Sequence, residues 1–211
     1  MGRAAVAAVA VAAGGGGALG CGSSPPSTFY ALSAERGVAE PALVHTLKLR
    51  RPAIAGYLDR QAIVAQVTGH RLVLVDTDRW ASPLDEMLGR VLAQDIEQRL
   101  AGSVVFTEDG AITAEAEITL EVDVRRFDVG DGGEASLVAE VAMEKGAGHA
   151  ALATRRVELR QAPRDTSTRA LVAAMSDLVG KLADAIAALV RSAASADAAP
   201  AVPAAASPPA P

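Results

Sequence analysis

The carboxylates Asp76, Asp78, Asp85 and Glu86 lie close enough in the chain to share a cation or to divide acid and base work. A hard cation needs several converging oxygens, and acid–base chemistry needs carboxyls in contrasting environments. Neither reading is required, because Asp85 and Glu86 follow Ser82-Pro83-Leu84, where a helix start favours negative charge. The three histidines, His45, His70 and His149, are scattered, and Cys21 is the only thiol. That excludes a disulfide framework and a Cys/His zinc set. His45 alternates in line with Leu43, Leu47 and Leu49, which suits a histidine at a strand face better than a ligand or base. Gly14 to Gly17 lacks the Gly-Lys-Ser/Thr ending of a phosphate loop, and no Gly-x-Ser-x-Gly elbow is present. The residue types therefore point to no enzyme, no cofactor and no metal site.

Cys21 is the remaining reactive group. Met1 to Gly20 carries one basic residue, Arg3, and then an Ala/Val/Gly run ending in Ala18-Leu19-Gly20. This run is too poor in large apolar residues for a membrane span, which needs about 20 of them. A basic start, a short apolar run and small residues before a cleavage point read as a secretory signal over residues 1–20. Cys21, followed by Gly22-Ser23-Ser24-Pro25-Pro26, resembles a bacterial lipoprotein processing site, at which the thiol is acylated with chains such as palmitate. Leu19 stands two before the cysteine, where the usual pattern has leucine three before it. Gly22, in place of Asp, resembles lipoproteins sent to the outer membrane. Residues 21–28 then form a flexible tether.

The composition fits a domain held by its core alone. Half of the residues (50%) are hydrophobic, but much of that is alanine and only 3% are aromatic, so core volume is modest. A net charge of -5 gives no basic surface for nucleic acid.

The elements follow from periodicity. Leu43 to Arg50 alternates as a strand that Arg51-Pro52 ends, since proline cannot donate to a ladder. Tyr57-Leu58-Asp59-Arg60 reads as a turn, and Ile63-Val64 with Arg71 to Asp76 as a hairpin about Gly69. Ser82 is the expected N-cap of a helix whose apolar stripe is Leu84, Met87, Leu88, Val91 and Leu92, drifting to Ile96 and Leu100. Asp95 and Arg99, one helical turn apart at the stripe edge, either pair with each other or face a partner. Ile112 to Arg125 alternates most clearly of all, and the phase slips at Arg126, as a β-bulge would make it. Strands over Leu137 to Met143 and Ala151 to Leu159 complete an antiparallel meander. A second amphipathic helix runs from Leu171 to Val190, and an Ala/Pro/Ser tail over 193–211 lacks a core pattern. The expected fold is α+β, a mixed and mainly antiparallel sheet with two amphipathic helices packed on it, over residues 29–192.

Four stretches, in this order, resemble the ABC-type transport auxiliary lipoprotein family, the PqiC-like envelope lipoproteins. They are Cys21 with Phe29-Tyr30-Ala31-Leu32; Tyr57-Leu58-Asp59-Arg60 with Ile63-Val64; Arg79-Trp80-Ala81-Ser82-Pro83-Leu84; and Val91-Leu92-Ala93-Gln94-Asp95-Ile96. Ser82 stands where the family has an acidic residue, and Gln66 where it has arginine. The resemblance implies a domain lipid-anchored at the periplasmic face of the outer membrane. It further implies a partner in the inner membrane, an MCE-domain protein with its ABC permease complex, in transport of lipid or other hydrophobic cargo. Some relatives form homo-oligomeric rings. The residues expected to act are Cys21 for attachment and Tyr57, Asp59, Arg60 and Trp80 for partner contact. The rival readings are a free periplasmic lipid carrier and an envelope lipoprotein assisting cell-wall assembly.

Overall fold

The computed structural model describes residues 26–68, 71–111, 114–130, 132–146 and 150–198. Its largest sheet is built on the meander of β9 (Ile118–Val129), β10 (Ala135–Lys145) and β11 (Ala150–Gln161). β3 (Thr46–Leu49) joins this meander parallel to β9 and carries β8 (Val104–Thr107) on its other edge. The short β4 (Ala53–Ile54) also runs parallel to β9. The sheet is thus mixed and mainly antiparallel. Alternation along β9 and β10 sends Leu120, Val122, Leu137, Ala139, Val141 and Met143 into the core. The opposite face carries Glu121, Asp123 and Glu140.

The phase slip appears as a bulge. Val124 stands opposite Ala139 and Arg126 opposite Val138, leaving Arg125 as the extra residue. Past it, Phe127 is buried on the parity that would otherwise face out. The alternation starting at Ile112 overshoots the strand: Ile112 is outside the described residues, and Ala114 to Glu117 is irregular. The reason is pairing. β10 ends at Lys145, opposite Ile118; past that pair Glu117 still accepts the Gly146 N–H at 3.0 Å, but Ala114 to Ala116 have no strand partner among the described residues. The predicted strand at Leu43 is likewise shortened. Leu43 is exposed, Val44 is buried and His45 is exposed, and ladder pairing begins only at Thr46.

The second sheet has the order β1-β6-β5. β5 (Ala62–Thr68) and β6 (Arg71–Trp80) form the expected hairpin, with β6 reaching Trp80, past Asp76. β1 (Thr28–Tyr30) lies parallel to the last residues of β6. A two-stranded parallel ribbon joins β2 (Glu40–Pro41) to β7 (Leu100–Ala101).

Two helices cover the core. α1 (Leu84–Arg99) packs on α2 (Thr168–Ala198), and α2 packs on β10 and β11. The stripe of α1 is buried as its spacing requires. Its N-cap is Pro83, not Ser82. Pro83 takes an extended conformation (φ -49°, ψ 135°), its carbonyl accepts the Met87 N–H at 3.1 Å, and no side chain caps the end. Asp85 and Glu86 face this uncapped positive end, and Arg51 bonds both, at 2.6 Å and 3.3 Å. Ser167 caps α2 through its Oγ on the Ala170 N–H at 3.2 Å. α2 continues to Ala198, past the boundary expected at residue 193. Alanine is the strongest helix former, and Ala193 and Ala194 pack against the core.

Candidate functional site

The Tyr57 turn, the start of β5 and the end of β6 meet at one place. Leu58 donates its N–H to the Ala55 carbonyl at 2.8 Å, and Trp80 donates its own to Gln61 at 2.8 Å. The Ala81 N–H reaches Tyr30 at 2.8 Å, which ties β1 to the same corner. Leu58 and Trp80 are buried, at 2% and 3% exposure. Tyr57 is half-buried, and its hydroxyl donates to Asp128 Oδ2 at 2.6 Å. Asp128 is itself buried and also accepts Arg126 Nε at 2.8 Å. Burial raises the Tyr57 pKa above the ordinary phenol value, and the hydrogen bond to Asp128 raises it further. Asp59 and Arg60 stand outside on the same turn, both exposed.

This placement divides the residues expected to meet a partner. Trp80 has no face to offer, because it fills the corner between hairpin and helix. Tyr57 spends its hydroxyl on Asp128. Asp59 and Arg60 keep accessible side chains. Cys21 and the residues before it lie outside the described residues.

A second constellation was legible in the sequence only as a rim pair. Asp95 and Arg99 are fully enclosed, at 0% and 3% exposure, which rules out a partner-facing role for them. Ser33 to Gly37 crosses over them. Glu35 donates its N–H to Asp95 Oδ1 at 2.8 Å and offers its carbonyl to Arg99 Nη1 at 3.0 Å. Arg99 also bonds the Asp95 carbonyl at 2.9 Å and, through Nε, Asp184 of α2. Ser33 adds an N–H to Ser176 Oγ at 3.2 Å. Gly180 admits the crossing chain, since a Cβ there would stand 2.9 Å from Glu35 Cβ. Burial pushes the Asp95 pKa up to about 6, against the lowering effect of the Glu35 N–H and of Arg99. This is a clasp that fastens the N-terminal segment to both helices. It presents no group to a substrate.

A surface cleft of about 620 Å³ lies on the outer face of the meander between Arg50 and Arg156. Among its lining charges, Arg50 bonds Glu121, and Glu140 accepts Arg125 from the neighbouring strand at 2.7 Å. Among the described residues, no group of His, Cys, Asp or Glu is placed to hold a metal ion. No described helix is long and apolar enough to cross a membrane.

The fold defines an α+β domain in which one mixed sheet carries two packed helices. The chain belongs to the ABC-type transport auxiliary lipoprotein component family, whose model matches residues 30–187. The matched span contains the Tyr57 turn, Trp80 and the clasp. Among solved structures, a crystal structure of a Xanthomonas campestris protein is 19% identical, with a TM-score of 0.68, covering 81% of this chain and 98% of its own. A crystal structure of an uncharacterized protein is 20% identical, with a TM-score of 0.66, covering 79% of this chain and 99% of its own. Both likenesses concern the fold. No curated protein matches the chain.

Proposed function

We propose that the chain is a lipid-anchored, non-catalytic docking subunit of an ABC-type transport system in the bacterial envelope. The observation that carries this reading is the family match, which begins at residue 30, shortly after a cysteine placed as a lipoprotein processing site. Acylated Cys21 holds the domain at the periplasmic face of the outer membrane. The domain meets an MCE-domain protein of the inner membrane and its ABC permease complex, which move lipid or another hydrophobic cargo. The exposed Asp59 and Arg60 supply part of that contact. The cleft of about 620 Å³ favours a docking role over that of a free carrier, because most of its lining residues, among them Arg50, Glu121, Glu140 and Arg156, are charged, whereas a lipid pocket is lined mainly by apolar side chains.

The test is co-purification of the full chain with an MCE-type protein from native membranes, with lipid extraction of the same sample. An MCE-domain partner in stoichiometric amount supports the reading. Bound lipid without that partner favours the carrier and overturns docking. Acyl-chain labelling that persists in Cys21→Ala overturns the anchor.

A further inference from the structure

We propose that the free end of the β5–β6 hairpin is a second membrane contact, with Leu72, Val73 and Leu74 seated at the headgroup–acyl boundary beside the Cys21 anchor. Among the large apolar side chains exposed on the described residues, these three are consecutive, at 37%, 39% and 36% exposure. Successive strand residues point to opposite faces, so consecutive exposure means that neither face of β6 is fully covered here. Isolated exposed apolar residues are ordinary; three in succession put apolar surface on both faces of β6 just past the hairpin turn, which only an apolar surrounding would cover.

The occupant follows from where the chain leads. β1 runs parallel to β6, with Thr28 opposite Asp78 and Tyr30 opposite Trp80. The chain before Thr28 therefore leaves β1 toward the Arg71 end of the hairpin. Cys21 precedes Thr28 by seven residues, and Arg71 precedes Asp78 by seven. Seven residues reach at most about 25 Å, and the same stretch of β6 spans about 23 Å. An acylated Cys21 thus has the reach to meet its leaflet beside the hairpin end. The charge pattern agrees. From Ala62 to Val75 there is no Asp or Glu, and Arg71 is the only charged residue, suited to lipid phosphate. The depth is also bounded. Among the described residues β6 is paired on its outer edge only from Asp78 to Trp80, so ahead of Asp78 that edge has backbone groups outside any ladder, which cannot enter hydrocarbon. The contact is interfacial.

The inference rests on the proposed anchor, and its test separates the two. In the acylated protein the Cys21 thiol is consumed, so Val73→Cys supplies a single free thiol for an environment-sensitive fluorophore. Glu158→Cys, on exposed β11, is the control. Both proteins are reconstituted into phosphatidylethanolamine–phosphatidylglycerol vesicles carrying nitroxide-labelled acyl chains. Quenching at position 73 and none at 158 is expected, and absence of quenching at 73, or equal quenching at both, overturns the proposal. Independently, Leu72→Ser with Leu74→Ser in the unacylated Cys21→Ala protein should weaken vesicle binding about tenfold. Unchanged binding overturns the hairpin contact and leaves the anchor standing. Shielding of the probe without vesicles, with a rise in oligomeric mass, overturns it in favour of contact between copies. Loss of acylation removes the anchor alone, since the vesicle assay on Cys21→Ala still reads the hairpin.

Discussion

Arg99, near the end of α1, donates through Nε to Asp184 of α2, while its Nη1 holds the Glu35 carbonyl at 3.0 Å. One guanidinium thereby joins both helices to the segment that leads from β1. In an anchored protein that segment carries any pull between the membrane and the domain. The clasp and the three-residue pairing of β1 with β6 take it up before the core does.

Replacing Arg99 by leucine should cost about 3–5 kcal/mol, because it leaves the Asp95 carboxylate enclosed without its counter-charge. Urea unfolding of the wild type and Arg99→Leu measures the difference. Arg99→Lys should recover only part of it, since an ammonium cannot reproduce the planar fork that reaches Asp184 and Glu35 together.

Asp95 gives the clasp an unusual pH dependence. Its pKa rises from 3.8 to about 6 on folding, chiefly by burial. The folded state therefore binds more protons than the unfolded state between those values, and stability falls as pH rises across that window. The contribution is complete below the unfolded value and lost above the folded one, on the order of 3 kcal/mol. Other carboxylates titrate there too, so the readout is the difference between wild type and Asp95→Asn across pH 4 to 7. The asparagine keeps the acceptor for the Glu35 N–H and should abolish the fall. A difference that is flat with pH would contradict the raised pKa.

The same cluster shows where the sequence stopped being readable. Local periodicity exposes an element's own faces, so the hairpin, the bulge at Arg125, both helices and the α+β class were legible. An apolar stripe treats a charge at its margin as rim. Asp95 and Arg99 are enclosed only because Ser33 to Gly37 folds across them, a contact some sixty residues away in the chain. No spacing encodes that crossing, although a glycine inside a helix, Gly180, was a trace of it. Ser82 misled for a local reason: Pro83 ends in an extended ψ and takes the cap itself. The alternation from Ile112 overran because a strand needs a neighbour as well as a pattern. The Tyr57 to Trp80 motif was visible as a unit, but the buried hydrogen bond of Tyr57 depends on Asp128, seventy-one residues further along the chain, which no local spacing announces.

Tyr57→Phe tests the buried half. It removes the donor to Asp128 and leaves that enclosed carboxylate with Arg126 alone, at a cost of about 1–3 kcal/mol. Thermal unfolding measures it. Trp80→Ala should cost more, about 3–5 kcal/mol, through the cavity left between hairpin and helix.

Asp59 and Arg60 test the exposed half, and the expected outcome is the reverse. Both side chains lie in solvent on a turn whose shape is set by backbone bonds, from Leu58 to Ala55 and from Arg60 to Leu58, each at 2.8 Å. Removing them leaves those bonds in place, so Asp59→Ala with Arg60→Ala should shift stability by less than about 0.5 kcal/mol. Charge at an exposed rim mainly affects association rate and salt dependence. The double variant should therefore keep its membrane fraction and its melting temperature while capturing less of the proposed MCE-type partner, with the deficit largest at low salt. Capture equal to wild type at every salt concentration would move the contact to another surface. Reduced capture accompanied by unfolding would assign the turn to the fold, because partner loss would then follow from the missing domain and not from the missing charges.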